Sequence, residues 1–118
     1  MKIFHYPKCS SCRNALKFLR DKGLEIEEFD ISNQTPSATQ LRQMLTFYQG
    51  DIKKLFIVSG QKYRELQLKD KLSCMSHQEA ISLLGSEGML IKRPFLIGDG
   101  FGLVGFKKDE WEKVFSDY

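Results

Sequence analysis

Ile3-Phe4-His5-Tyr6-Pro7-Lys8-Cys9-Ser10-Ser11-Cys12 begins as a short β-prone run and ends on two cysteines spaced C-x-x-C. Beyond them Ala15, Leu16, Phe18 and Leu19 recur at helical spacing as far as Asp21-Lys22-Gly23, where a glycine suits the left-handed position that stops a helix. Residues 26–31 then alternate apolar and acidic side chains, the period-two signature of a strand. Strand, helix and strand in so short a span make a βαβ unit, so a parallel strand pair is expected.

The cysteines sit where the strand ends and the helix begins. The thiolate is the reactive form of cysteine, and the free N–H groups and dipole of a helix N-terminus favour it. Cys9, at that terminus with its sulfur toward solvent, is the candidate nucleophile. Cys12, one turn on, is placed to attack a mixed disulfide formed at Cys9 and is the candidate resolving thiol. Its other reading is a small buried hydrophobe on a helix. His5, Lys8 and Arg13 bring positive or potentially positive groups near Cys9, and each would stabilise a thiolate. His5 also reads as a half-buried strand residue, and Arg13 as an ordinary surface arginine.

Thr35-Pro36-Ser37 signals the start of a second helix, with Leu41, Met44, Leu45 and Tyr48 on one face and Gly50 closing it. Short helical segments follow around residues 52–56, 63–68 and 78–84, and Ser76 with Glu79 has capping-box spacing for the last. Gly85-Ser86-Glu87-Gly88 breaks the pattern, so the predicted helical insertion spans residues 35–85. Met89-Leu90-Ile91-Lys92-Arg93-Pro94 leads into a buried strand, Phe95-Leu96-Ile97. Gly98-Asp99-Gly100 is a turn, residues 102–106 read as the returning strand, and residues 108–115 form a last helix with Trp111, Val114 and Phe115 inward. This order predicts one α/β domain over residues 1–118, with a thioredoxin-like (glutaredoxin-like) fold and a mixed four-stranded sheet.

Arg93-Pro94 stands directly before a strand. Proline is the one residue for which a cis peptide is inexpensive. An arginine beside it would offer a planar fork to a carboxylate or oxyanion, although a surface arginine before a turn looks the same in sequence.

The bulk properties narrow the function classes. A chain of 118 residues with 42% hydrophobic composition can build a core without disulfide staples. Three cysteines are too few, and odd in number, for a secreted disulfide framework. The first strand starts close to Met1, which leaves no room for a leader, and no apolar run approaches the ~18 residues a bilayer requires. A cytoplasmic location is expected, where a close cysteine pair is catalytic or metal-binding more often than structural. The net charge of +3 is spread over lysines and arginines interleaved with acids, so no direct nucleic-acid or membrane surface is expected. Cys74-Met75-Ser76-His77 would complete a Cys₃His zinc set with Cys9 and Cys12. The spacing between the two groups is long, His77 suits a first helical turn, and no metal is expected.

Taken together, these residues resemble the arsenate reductase (ArsC)-like family, which also contains the Spx-type redox regulators of transcription. The resemblance is carried by Phe4-His5-Tyr6-Pro7-Lys8-Cys9-Ser10-Ser11-Cys12-Arg13-Asn14-Ala15, Tyr63-Arg64-Glu65-Leu66, Met89-Leu90-Ile91-Lys92-Arg93-Pro94 and Val104-Gly105-Phe106. It implies a thioredoxin-like fold with a helical insertion, a nucleophile at Cys9 preceded by a histidine at His5, and a cis-proline at Pro94 facing the reactive cysteine. It also implies an oxyanion site of three arginines. Arg93 matches one; the others fall near Ile57-Val58-Ser59 and Gly105-Phe106-Lys107, where a lysine is the nearest cation. A second cysteine at Cys12 is typical of regulator-like branches and implies an internal disulfide.

The function implied is a thiol-dependent oxidoreductase that reduces a disulfide, a glutathione mixed disulfide or arsenate. It would hold no bound cofactor and draw electrons from glutathione, glutaredoxin or thioredoxin. The alternatives are an Spx-like regulator that binds RNA polymerase through a Cys9–Cys12 switch, and a binding domain with vestigial cysteines.

Overall fold

The computed structural model describes residues 1–116. Strand β1 (Lys2–His5) leads into helix α1 (Ser10–Asp21) and then β2 (Glu27–Asp30). The two strands pair in parallel, from Lys2 opposite Glu27 to His5 opposite Asp30. A long helical excursion follows, containing α2 (Ala38–Phe47), α3 (Gln61–Glu65), α4 (Leu68–Lys71) and α5 (His77–Ser86), with 3₁₀ turns over Ile52–Leu55, Leu72–Cys74 and Gly88–Leu90. Strand β3 (Phe95–Gly98) then returns antiparallel to β1, β4 (Phe101–Val104) pairs antiparallel with β3, and α6 (Lys108–Val114) ends the described chain. The sheet order β2-β1-β3-β4, mixed in direction and flanked by helices, is the thioredoxin-like arrangement with its insertion between β2 and β3.

Successive strand residues face opposite sides of a sheet, and this chain uses both. Ile3, Leu96 and Leu103 turn to one side and pack against Ala15, Leu16 and Leu19 of α1 and Trp111 and Phe115 from α6 and its end. Phe4, Phe95 and Ile97 turn to the other and meet the insertion through Leu41, Met44, Leu55, Ala80 and Leu84. The insertion thus covers one face of the sheet, while α1 and α6 cover the other.

Local signals place the boundaries. Ser37 and Gln40 form a reciprocal capping box at the start of α2, and Ser76 and Glu79 form another at the start of α5. Gly23 takes a positive φ of 70° directly after α1, as its position predicts.

Four details differ from expectation. β2 is confined to Glu27–Asp30, with Ile31 buried beyond it. The segment predicted over residues 63–68 is two helices, α3 and α4, separated where Gln67 takes a left-handed φ of 54°. The returning strand begins at Phe101 and ends at Val104, because Gly105 turns away at φ 70° and donates its N–H to the Pro94 carbonyl. Val114 is 38% exposed rather than inward. Trp111 and Phe115 lie one turn apart and fill the buried stripe between them, leaving Val114 on its flank.

Gly88 draws the end of the insertion against the sheet. A Cβ there would collide with the backbone carbonyl of Ile31, so only glycine permits the approach. The approach sets where the chain enters the Lys92-Arg93-Pro94 segment.

Candidate active site

Where β1 ends, Tyr6 leaves the sheet and the chain doubles back. The Cys9 N–H donates to the Tyr6 carbonyl at 3.0 Å, and the Arg13 N–H donates to the Cys9 carbonyl at 3.1 Å. Cys9 is therefore the N-cap of α1, with extended backbone (φ −93°, ψ 120°) and no conventional capping side chain. Its sulfur occupies the position where a helix start offers free N–H groups.

The two cysteines, both free thiols, differ in environment. Cys9 is partly exposed, whereas Cys12 is buried on the inner face of α1. Partial burial pushes the Cys9 thiol up, but the Cys12 N–H and thiol, the Arg93 guanidinium and the Ser11 N–H outweigh it and hold the group below its ordinary value. Burial pushes Cys12 up to about 12; the Tyr6 N–H, donated to the Cys12 Sγ at 3.4 Å, offsets this in part, and the neighbouring Cys9 adds to it. Cys9 is thus the more acidic of the two thiols and Cys12 the less acidic.

Arg93 comes to the pair from the other end of the chain. Its guanidinium lies 5.3 Å from the centre of the Tyr6 ring, within cation–π range. Its Nη1 donates to the Met89 carbonyl at 3.4 Å. Its charge favours the thiolate form of both cysteines. The Arg93 Nε is buried with no hydrogen-bond partner among the described residues. The Arg93–Pro94 peptide is cis.

Arg13 braces the loop rather than facing the sulfur, since its Nη1 donates to the Pro7 carbonyl at 3.0 Å. His5 turns toward the parallel neighbour strand, with Nε2 3.6 Å from Glu28 Oε1 and Nδ1 buried without a partner among the described residues. Glu28 is shared with Arg20 at 3.4 Å, so His5 belongs to an acid–base cluster across β1 and β2. Lys8 is exposed. Cys74 is exposed at the end of a 3₁₀ turn, its sulfur 4.0 Å from the Ser73 Oγ. Among the described residues no three His, Cys, Asp or Glu side chains gather so as to hold a metal ion.

The structure therefore unites Cys9, Cys12 and Arg93, and adds Tyr6. Sequence reading gave Tyr6 only its β propensity. Its backbone N–H serves Cys12 and its ring serves Arg93, and neither role leaves a mark beyond a strand's last aromatic before a proline.

A model of the ArsC family matches residues 4–114. The chain belongs to the ArsC family. Within it, the chain is 46% identical over 113 residues to the uncharacterised protein YusI of Bacillus subtilis (strain 168), covering 96% of each chain. It is 25% identical over 114 residues to the regulatory protein MgsR of the same organism, covering 97% of this chain and 89% of that one. Among solved structures it resembles a possible arsenate reductase from Streptococcus mutans UA159, with a TM-score of 0.85, 40% identity, and coverage of 94% of this chain and 96% of that one. Among the described residues of this ArsC-family chain, no helix is long and apolar enough to cross a membrane.

Proposed function

We propose that this ArsC-family chain, as one domain over residues 1–118, is a cytoplasmic thiol–disulfide oxidoreductase with Cys9 as nucleophile and Cys12 as resolving thiol. The observation that carries this reading is the split between two thiols one helical turn apart, one lowered and one raised to about 12.

The Cys9 thiolate attacks one sulfur of a disulfide R–S–S–R′. A Cys9–S–R bond forms, the S–S bond of the substrate breaks, and R′–S⁻ departs and takes a proton from solvent. Cys9 is then neutral. Its charge no longer opposes ionisation of Cys12, while the Tyr6 N–H and the Arg93 charge still favour it. Cys12 loses its proton and attacks the Cys9 sulfur, R–S⁻ leaves, and a Cys9–Cys12 disulfide remains. The substrate gains two electrons and the protein loses two, as disulfide exchange requires. A donor thiol, glutathione, glutaredoxin or thioredoxin, restores the dithiol, and no bound cofactor is needed.

The Arg93 charge, which already favours the Cys9 thiolate, would attract an anionic group of the substrate. Arsenate is a weaker candidate than a disulfide. The positions of the family's other oxyanion arginines fall near Ile57 and Gly105, and each charge-assisted bond lost removes about 1.5–3 kcal/mol. A second reading, a regulator that binds RNA polymerase and is switched by a Cys9–Cys12 disulfide, is favoured by the likeness to the regulatory protein MgsR.

Trapping separates the readings. Cys12→Ser incubated with a glutathione or peptide disulfide should accumulate a mixed disulfide on Cys9, seen by mass spectrometry. The wild type should turn over with thioredoxin or glutathione as donor. Oxidation to the internal disulfide without turnover on any disulfide, together with redox-dependent capture of RNA polymerase, would replace the enzyme reading with the regulator.

A further inference from the structure

A second concave site lies between the end of α2, the Ile52–Leu55 turn, β4 and the start of α6, with a cavity of about 360 Å³. Neither cysteine nor Arg93 lines it. Four lysines do: Lys53 and Lys54 from the 3₁₀ turn, Lys92 from the approach to β3, and Lys107 at the N-cap of α6. Three segments far apart in sequence thus deliver the same charge to one hollow.

The charges are unbalanced. Lys17 and Lys108 pair with acids four residues on, Asp21 and Glu112. None of the four cavity lysines has an ion-pair partner among the described residues, although Asp51 and Glu110 stand in the same lining. Like charges gathered in a cleft repel one another and focus a positive potential there, which a bound anion relieves.

The walls add shape and polarity. Phe56 and Val104 line the hollow, and Val58 stands 47% exposed beside them. The Tyr48 hydroxyl accepts the Val104 N–H at 3.0 Å, which leaves its own proton free to donate. Gly105 makes room for Lys92, whose Cε would lie 3.0 Å from a Cβ at that position.

We propose that this cavity binds a small organic anion of charge two or more, its phosphate or carboxylate groups on the lysines and its apolar body against Phe56, Val58 and Val104. Set against the two carboxylates, the four lysines leave two positive charges in the lining, which a dianion neutralises and a singly charged or neutral molecule does not. An inorganic ion would leave the apolar wall uncovered. The site is separate from the cysteine pair, and the inference stands whatever the reaction at Cys9.

The test uses the intact chain with phenyl phosphate and phthalate as probes, followed by amide chemical shifts at an ionic strength of about 0.15 M, where the Debye length is ~8 Å. The expected result is saturable binding with shifts confined to the residues around Tyr48, Lys53 to Val58, Lys92 and Val104 to Lys107. The Lys92→Gln/Lys107→Gln double variant should weaken it at least about tenfold, or about 1.4 kcal/mol, and Lys17→Gln should leave it unchanged. Tighter binding of phenyl phosphate would assign a phosphate ester, and tighter binding of phthalate a dicarboxylate. Shifts that never saturate, that spread over the whole surface, or that weaken equally in Lys17→Gln would overturn the proposal.

Discussion

A thiol at the N-cap of α1 and a thiol one turn further in meet opposite surroundings. Cys9 faces the N–H groups of Ser11 and Cys12 and the charge of Arg93, while Cys12 is buried under the helix with one N–H from Tyr6. Arg93 is a full positive charge that acts on both. Arg93→Gln should therefore raise the apparent pKa of Cys9 and slow its alkylation near neutral pH by up to about tenfold, one pKa unit being about 1.4 kcal/mol. Arg93→Lys should recover part of the rate; equal rates in all three proteins would remove Arg93 from the site.

Cys12 makes a stability prediction as well. In the unfolded chain it ionises near the free-thiol value of about 8.5, and in the folded protein it stays protonated up to about 12. Between these values the folded state binds more protons, so stability falls as pH rises, by at most about 1.4 kcal/mol per unit. Urea midpoints at pH 9 and pH 11 should drop further in the wild type than in Cys12→Ala. The two cysteines were legible at this scale because helix starts and thiolates share one electrostatic logic. The supporting roles of Tyr6 and Met89 were not, because backbone groups act there and no side-chain pattern reports them.

Elements place those residues. The strand-to-helix step at Tyr6–Cys9 and the stop at Gly23 follow from local chemistry, and so does the cap at Ser76–Glu79, so all three could be read in advance. The break between α3 and α4 could not. Gln67 takes a left-handed φ of 54°, a conformation that glutamine does not announce. Gly88 is likewise explained only by a neighbour distant in sequence. Gly88→Ala would press a Cβ into the Ile31 carbonyl, and forced overpacking of this kind costs about 1–3 kcal/mol. The 3₁₀ turn holding Met89 would shift with it, and the Met89 carbonyl holds Arg93. Thermal unfolding should come at a lower temperature and Cys9 alkylation should slow together. Gly85→Ala, where a Cβ meets only the Leu41 Cδ1 at 4.0 Å, should do neither.

At the scale of the whole molecule, one sheet separates two cores. The helical stripes of α1 and α2, the apolar run of β3 and the inward pair Trp111 and Phe115 are local patterns, and they identified the parts of both cores that these elements contribute. They did not show how the helical insertion folds back over Phe4, Phe95 and Ile97, nor that three segments converge on a lysine-lined hollow. Those are facts of tertiary packing. Trp111 anchors the second core, fully buried, with its indole N–H donated to the Gly105 carbonyl at 3.0 Å. Trp111→Phe removes that bond and part of the ring volume, and should lower stability by about 1–3 kcal/mol in urea unfolding. Trp111 meets α1 at Phe18, in the half of that helix away from its Cys9 N-cap, and Cys9 reactivity in the folded variant should be unchanged.

The most direct measurement is the rate of alkylation of Cys9 against pH in the wild type, Cys9→Ser and Cys12→Ser. The account predicts a half-titration below the ordinary thiol value of about 8.5, a rapid phase lost in Cys9→Ser and retained in Cys12→Ser. A half-titration at or above that value, or a rapid phase that survives Cys9→Ser, would contradict it.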